Sequence, residues 1–363
     1  MSLTIGKYTV PHPLIQGGMG VRVSAANLAS AVARAGGIGL VACAGLAVNS
    51  AHYNGRNFFT ADPLALKDEL DKARALAPDG VIGVNCMVAT TNYEDMIKAS
   101  CENGAQLIVS GAGLPLNLPG LTVDYPDVAL VPIVSSVKAA QLITRKWHKG
   151  FNRLPDAVVV EDPDTAGGHL GEKLELIGNG DYDQYETVRG VKAYFKNEWQ
   201  LDIPIIAAGG IWNREDVEYA LAQGADGVQM ATRFVTTEEC DAAEAFKQFY
   251  IDCDKEDIGL IMSPAGLPGR AIIKNFDKVR QRDVDLNVSC PSNCLRKCTY
   301  KENRERFCIF HALDRAQRGD TETGIVFCGT NAWRANKIET VQGIFNELFA
   351  AAGSKSADRV VNQ

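Results

Sequence analysis

Short runs rich in Val, Ile, Leu and Ala recur along the first two thirds of the chain. They fall at 14–16, 38–42, 81–85, 106–110, 128–134, 157–161, 203–207 and 227–231. Helical patterns lie between them, and that alternation predicts βα units and a parallel sheet. Two helix starts are marked. Asp62-Pro63 offers an N-cap and a first-turn proline before a helix over 64–75. Ser24 offers a cap to an Ala-rich helix that ends at Ala35, where Gly36-Gly37 stop it. Eight strands with interleaved helices in about 235 residues predict an α/β fold, a (β/α)8 TIM barrel. A doubly wound open sheet is the alternative. Nearly every run leads into Gly-, Asn- or Ser-bearing sequence, as in Gly17-Gly18-Met19-Gly20, Ser110-Gly111-Ala112-Gly113 and Ala208-Gly209-Gly210. A barrel gathers all such loops on one face, where catalytic groups sit.

Beyond about residue 236 the βα rhythm stops. Helical stretches at 240–253 and 337–351 surround a cysteine-rich insert. The expected division is therefore a barrel over 1–236 and a C-terminal helical part over 237–363 that covers the open barrel face, with the cysteine insert at 290–308.

Composition narrows the class. The chain has 363 residues, of which 46% are hydrophobic and 34 are glycine, enough to bury a large core. No apolar run reaches the eighteen residues of a membrane span. Residues 1–10 lack the basic and apolar regions of a signal peptide, so a cytoplasmic protein is expected. A formal net charge of −7 argues against general nucleic-acid binding. The segment 270–306 nevertheless carries ten Lys/Arg against five Asp/Glu. It reads as a face for an acidic protein partner, as compensation for an anionic metal cluster, or as a solvated surface.

The most chemical stretch is Glu161-Asp162-Pro163-Asp164-Thr165-Ala166-Gly167-Gly168-His169, directly after the run 157–160. Glycines let the backbone press against a flat ligand. A histidine exchanges a proton near neutral pH. An ordinary Gly-rich turn with a solvated histidine is the plain alternative. Ala208-Gly209-Gly210-Ile211 and Gln229-Met230-Ala231-Thr232 follow the seventh and eighth runs, where barrels commonly bind phosphate. Asn85 ends the third run, placed to hydrogen-bond a heterocycle edge. Together these positions favour a flat, phosphate-bearing cofactor.

Five pieces, Gln16-Gly17-Gly18-Met19-Gly20, Gly83-Val84-Asn85, Gly167-Gly168-His169, Ala208-Gly209-Gly210-Ile211 and 227–234, occur in the order of one family. The chain resembles the nitronate monooxygenase and flavin-dependent enoyl-acyl-carrier-protein reductase superfamily. The resemblance implies a TIM barrel that binds FMN. By the same resemblance Gly18, Met19, Asn85, Glu161, Gly167, Gly209, Gly210, Met230, Ala231 and Thr232 would line the flavin, and His169 would be the catalytic histidine.

Cys290, Cys294, Cys298 and Cys308 place four of the ten cysteines within nineteen residues. Four thiolates at this spacing suit a 4Fe-4S cluster or one zinc ion, and scattered reduced thiols are the third reading. Arg296, Lys297, Arg304 and Arg306 lie beside them. The insert, with 110–115 and 324–334, is similar to the branch of the superfamily that dehydrogenates and isomerises acyl-carrier-protein thioesters in unsaturated fatty-acid synthesis. That similarity implies FMN plus a 4Fe-4S cluster, and acyl carrier protein as partner. A homodimer is compatible with all of this. Nitronate oxidation, NAD(P)H-dependent enoyl reduction and a redox or iron sensor are the competing functions. Cys43, Cys86, Cys101, Cys240, Cys253 and Cys328 read as buried apolar thiols. His12, His52, His148 and His311 read as structural or solvated, and Trp147, Trp199 and Trp212 as packing residues. No residue reads out acyl length.

Overall fold

Each apolar run becomes a strand because both of its faces are covered. Along Val158–Glu161, Val159 points into the barrel with Ile15, Leu40, Val109, Val131 and Ile206. Val158 and Val160 point outward with Val41, Val84, Leu130 and Ile205, against the helices. That is the two-residue period of a pleated strand. The computed structural model describes residues 2–285, 290, 292–302 and 304–350.

A hairpin of β1 (Leu3–Ile5) and β2 (Tyr8–Val10) opens the chain and lends Leu3, Ile5 and Val10 to the barrel interior. The barrel strands are β3 (Leu14–Gln16), β4 (Ile38–Ala42), β5 (Val81–Met87), β6 (Leu107–Gly111), β7 (Ala129–Val134) and β8 (Val158–Glu161). After the two-residue strand β9 (Gly168–His169), which stands outside the barrel, β10 (Ile205–Ala208) and β11 (Gly227–Met230) complete it. All eight pair in parallel, and β11 closes onto β3. The eight expected runs are the eight barrel strands, with ends shifted by a residue or two.

Helices α1 (Ala26–Arg34), α2 (Phe58–Leu76), α3 (Tyr93–Glu102), α4 (Leu118–Leu121), α5 (Val137–Phe151), α6 (Gln184–Tyr194) and α7 (Arg214–Ala222) fill the connections, and the short α8 (Thr232–Val235) follows β11. Two expected starts differ. α2 begins before Asp62, which is buried and accepts hydrogen bonds from Ala47 N (2.7 Å) and Asn92 Nδ2 (2.8 Å). Asp62 is therefore a tie between loops, and Pro63 lies within the helix. Ser24 accepts from Met19 N at 2.8 Å instead of capping α1. The N–H groups at the start of α1 and of Ala25 before it go to distant carboxylates: Asp241 accepts from Ala25, Asn27 and Leu28, and Glu69 accepts from Ala26.

Residues 236–340 form the cap. It holds α9 (Glu244–Ile251), β12 (Ile258–Met262), β13 (Pro268–Ile272), α10 (Phe276–Asp285), α11 (Ile309–Gln317) and β14 (Val326–Phe327). The cap is not purely helical, contrary to the expectation. β12, β13 and β14 form an antiparallel sheet, and β9 joins it by pairing with β13. These strands are short and carry Gly259, Pro268 and Gly269, so pairing partners rather than local pattern make them strands. The last helix, α12 (Val341–Phe349), returns to the barrel between α1 and α7. Its Val341, Ile344, Phe345 and Leu348 belong to the barrel–helix core. The cap is thus an insertion between the eighth strand and its helix, and the split at 236 marks only the first edge of that insertion. Among the described residues no helix is long and apolar enough to cross a membrane.

Candidate active site

The carboxyl ends of the barrel strands and the inner face of the cap enclose one cavity. Gly18, Met19, Asn85, Glu161, Gly167, His169, Gly209, Gly210, Met230, Ala231 and Thr232 all line it. The sequence scatters these eleven residues over more than two hundred positions, and barrel closure brings them together. The cap contributes Phe246, Tyr250, Leu313, Phe327, Cys328, Gly329 and Asn331.

Glycine is required on the wall at Gly18, where a Cβ would stand 2.2 Å from the Asn85 Cβ. Gly168 has φ +76°, a conformation that L side chains rarely adopt, and it turns the chain into His169. The loop between them and β8 is shaped by Asp162. Its carboxylate accepts from Asp164 N (2.8 Å) and Thr165 Oγ1 (2.5 Å).

From outside, the cap grips the same loop. The guanidinium of Arg270 is buried and donates to the carbonyls of Pro163 and Ala166. Thr330 N donates to Thr165 O at 3.0 Å, Gly329 N to Thr232 Oγ1 at 2.9 Å, and Asn331 Nδ2 to Gly210 O at 2.7 Å. Three barrel loops are thereby tied to one stretch of cap.

His169 is partly buried, with Nε2 2.7 Å from Ser263 Oγ and its ring edge-on to Phe327 at 5.0 Å. Burial lowers its pKa to about 4, so the ring is uncharged at neutral pH. Glu161 moves the other way. Burial, and then the charge of Asp162, raise it to about 7. Gln229 Oε1 is buried on this wall with no hydrogen-bond partner in the structure. An acceptor left so is costly unless a ligand donor meets it.

Residue patterns did not single out Ser263 or Phe327, named Gln229 only within the strand-end motif 229–232, and counted Arg270 only in the basic segment 270–306. The stretch 324–334 was marked only by resemblance. Ser263 lies in sequence with no motif and Arg270 reads only as one cation of a basic run, and the cap fold carries both to the loop.

The four thiols of the insert share one neighbourhood. Burial raises Cys294 to about 12, with further increases from Cys308, Cys290 and Cys298 and a decrease from Lys301. Cys294, Cys298 and Cys308 sit in the apolar cluster that also contains Val21 and Ile261. Among the described residues, however, no three His, Cys, Asp or Glu side chains converge as a metal-binding group. The four cysteines of the expected ligand set are thus drawn together, and among the described residues they do not form a metal-binding group. Residues 286–289 and 291, which flank Cys290, lie outside the described residues.

The basic run is not a single free face. Arg270 is buried, Lys274 pairs with Asp257, Lys278 with Glu322 and Arg304 with Glu302. Arg280 lies over the Phe276 ring, and the side chain of Arg282 is outside the described residues. His12 stacks on Phe349, His148 meets Trp199, and His52 bonds Asp68. Trp147 is fully buried and donates to Pro115 O. The six other cysteines are buried, Cys43 and Cys86 with their sulfurs 3.1 Å apart.

A family model described as nitronate monooxygenase matches residues 1–351. A relative from Mycobacterium tuberculosis, "(3aS,4S,5R,7aS)-5-hydroxy-7a-methyl-1-oxo-octahydro-1H-indene-4-carboxyl-CoA dehydrogenase", is 27% identical over 263 residues, covering 72% of this chain and 63% of the relative. A "probable nitronate monooxygenase" from Staphylococcus saprophyticus is 24% identical over 321 residues, covering 82% of this chain and 86% of its own. FabK from Thermotoga maritima superposes with a TM-score of 0.70 at 25% identity, covering 93% of this chain and 92% of that one. Nitroalkane oxidase from Streptomyces ansochromogenes, at 19% identity, shares the fold with a TM-score of 0.68 over 93% of this chain and 95% of that one.

Proposed function

This chain belongs to the nitronate monooxygenase family, a family of FMN-dependent oxidoreductases, and from that premise we propose that it dehydrogenates acyl thioesters with His169 as the base. The carrying observation is the single imidazole held over a glycine-walled cavity at the barrel mouth. The cavity residues fit FMN. Gly18 leaves a flat wall beside Asn85, Gln229 Oε1 awaits a donor, and Gly209, Gly210, Ala231 and Thr232 stand at the strand ends where barrels hold phosphate. When bound, FMN supplies a two-electron acceptor for hydride leaving the substrate β carbon.

The protein's own part is proton transfer and positioning. The neutral ring of His169 takes the proton α to the thioester carbonyl as the β hydride departs, and the Cα–Cβ double bond forms. A well-placed base of this kind typically contributes about 10²–10⁴-fold. The charged ring then releases that proton to solvent; once neutral again it can take a proton from the γ carbon and hand it back to the α carbon, which moves the double bond to Cβ–Cγ without a second base. Val21, Val23, Phe246, Leu313 and Phe327 offer an apolar wall to an acyl chain. The mycobacterial relative's printed name, a carboxyl-CoA dehydrogenase, supports a thioester substrate. Acyl carrier protein as the thioester's carrier is part of this proposal, with a homodimer as the compatible assembly.

We also read Cys290, Cys294, Cys298 and Cys308 as a soft-metal site of the 4Fe-4S type, on the strength of their shared neighbourhood and of Lys301 beside it. No reaction step is assigned to it. Iron, sulfide and zinc analysis of anaerobically purified protein tests it.

Nitronate oxidation is the second reading, favoured by the staphylococcal relative's printed name. Anaerobic enzyme offered acyl thioester, nitronate or NADH in turn separates the readings. Bleaching of the flavin by acyl thioester, abolished in His169→Ala with flavin retained, is expected. Bleaching by nitronate alone would replace dehydrogenation with oxidation of that substrate.

A further inference from the structure

The β12–β13 hairpin reaches His169 at both its backbone and its ring. Gly269 pairs with His169, and Arg270 with Gly168, in antiparallel register. Ser263, just past β12, is buried, and its Oγ lies 2.7 Å from His169 Nε2. The hydroxyl cannot swing freely. Its oxygen also accepts from Ala265 N at 3.2 Å, and Ser263 N donates to Leu267 O at 3.0 Å. Phe327 closes the other side of the imidazole.

With Nε2 engaged, the nitrogen left for a substrate is Nδ1. A neutral imidazole carries one N–H. For Nδ1 to hold the lone pair that a base needs, that hydrogen must sit on Nε2 and point at Ser263. We propose that Ser263 is a positioning residue whose oxygen accepts a hydrogen bond from His169 Nε2, making Nδ1 the atom that takes the substrate proton. The inference rests on His169 being the base proposed above.

The proton balance is closed. Nδ1 receives the α proton, Nε2 keeps its own, and the positive charge on the ring strengthens the bond to Ser263. The contact therefore stabilises the protonated ring more than the neutral one, which is the condition for lowering the barrier. Other titratable groups around the ring are Glu161, Tyr250 and Cys328 in the same cavity and Arg270 on the paired strand.

Three measurements on the flavin-loaded enzyme test the proposal. Ser263→Ala is expected to lower kcat roughly 10- to 100-fold, the effect of losing a hydrogen bond to a charged group, with flavin retained. Its acidic limb should move to lower pH, because the protonated ring has lost its acceptor. Ser263→Thr should recover activity to within a few-fold. In wild-type enzyme labelled with 15N-histidine, the shifts of His169 should report hydrogen on Nε2, whether or not any variant folds. Hydrogen on Nδ1, or wild-type kcat in Ser263→Ala while His169→Ala is inactive, would overturn the role of Ser263 and leave the proposed function standing. An active His169→Ala would instead remove the base itself.

Discussion

At the scale of single residues, the site is a set of groups held away from their solution chemistry. Glu161 has its pKa raised to about 7 by burial and by Asp162. A carboxyl raised in the folded state binds its proton more tightly there than in the unfolded chain. Its contribution to stability is therefore present below about pH 4.5 and lost as pH rises through about 7. Glu161→Gln in flavin-stripped protein is expected to raise Tm at pH 8 and to leave it unchanged at pH 4.5. Equal melting of the two proteins at pH 8 would show that the carboxyl is not strained. His169 is shifted in the opposite sense, and its neutrality at working pH follows from burial alone. Glycine and histidine at 167–169 were legible as a candidate site because glycine permits close approach and histidine exchanges a proton, and the structure places all three on the cavity wall. The serine that orients the ring was not, because a lone Ser263 after an apolar strand is an ordinary sequence.

At the scale of elements, the barrel strands were readable because parallel strands are buried on both faces and leave continuous apolar runs. Helix starts were less so. Ser24 and Asp62 are good local caps, yet both are used elsewhere, and α1 is capped by Asp241 from the cap insertion. Asp241 accepts from Ala25 N, just before α1, and from two α1 N–H groups, so Asp241→Ala should cost about 0.5–2 kcal/mol, the usual range for a lost cap. Urea unfolding should show this as a lower midpoint at unchanged slope. A wild-type midpoint would mean that water replaces the carboxylate without loss. The short strands β12, β13 and β14 have no strong local pattern, and they exist because they pair with one another and with β9.

At the scale of the whole molecule, α12 returns past the cap to take its place between α1 and α7 in the helical layer around the barrel. Phe345 of α12 packs beside Phe234 and His12, and a Cβ at Gly37 would meet its ring at 2.7 Å. A chain ending at residue 340 would remove Val341, Ile344, Phe345 and Leu348 from the core that α12 shares with α1 and α7. It is expected to be insoluble or to lose cooperative unfolding, which differential scanning calorimetry detects. A sharp native transition in that truncated protein would show that α12 is dispensable. The amino-acid order by itself determined the eight-stranded barrel, the glycine-rich strand ends and the histidine beside them, since those depend on periodicity and residue type within short windows. It also placed four cysteines close together, which is a matter of spacing. Only the tertiary structure decided that the cap is threaded between the last strand and its helix, that a sheet within it grips the histidine loop, and that Ser263 and Arg270 stand where they do. Those contacts join positions about a hundred residues apart, and no local pattern encodes which distant partner a buried polar group will find.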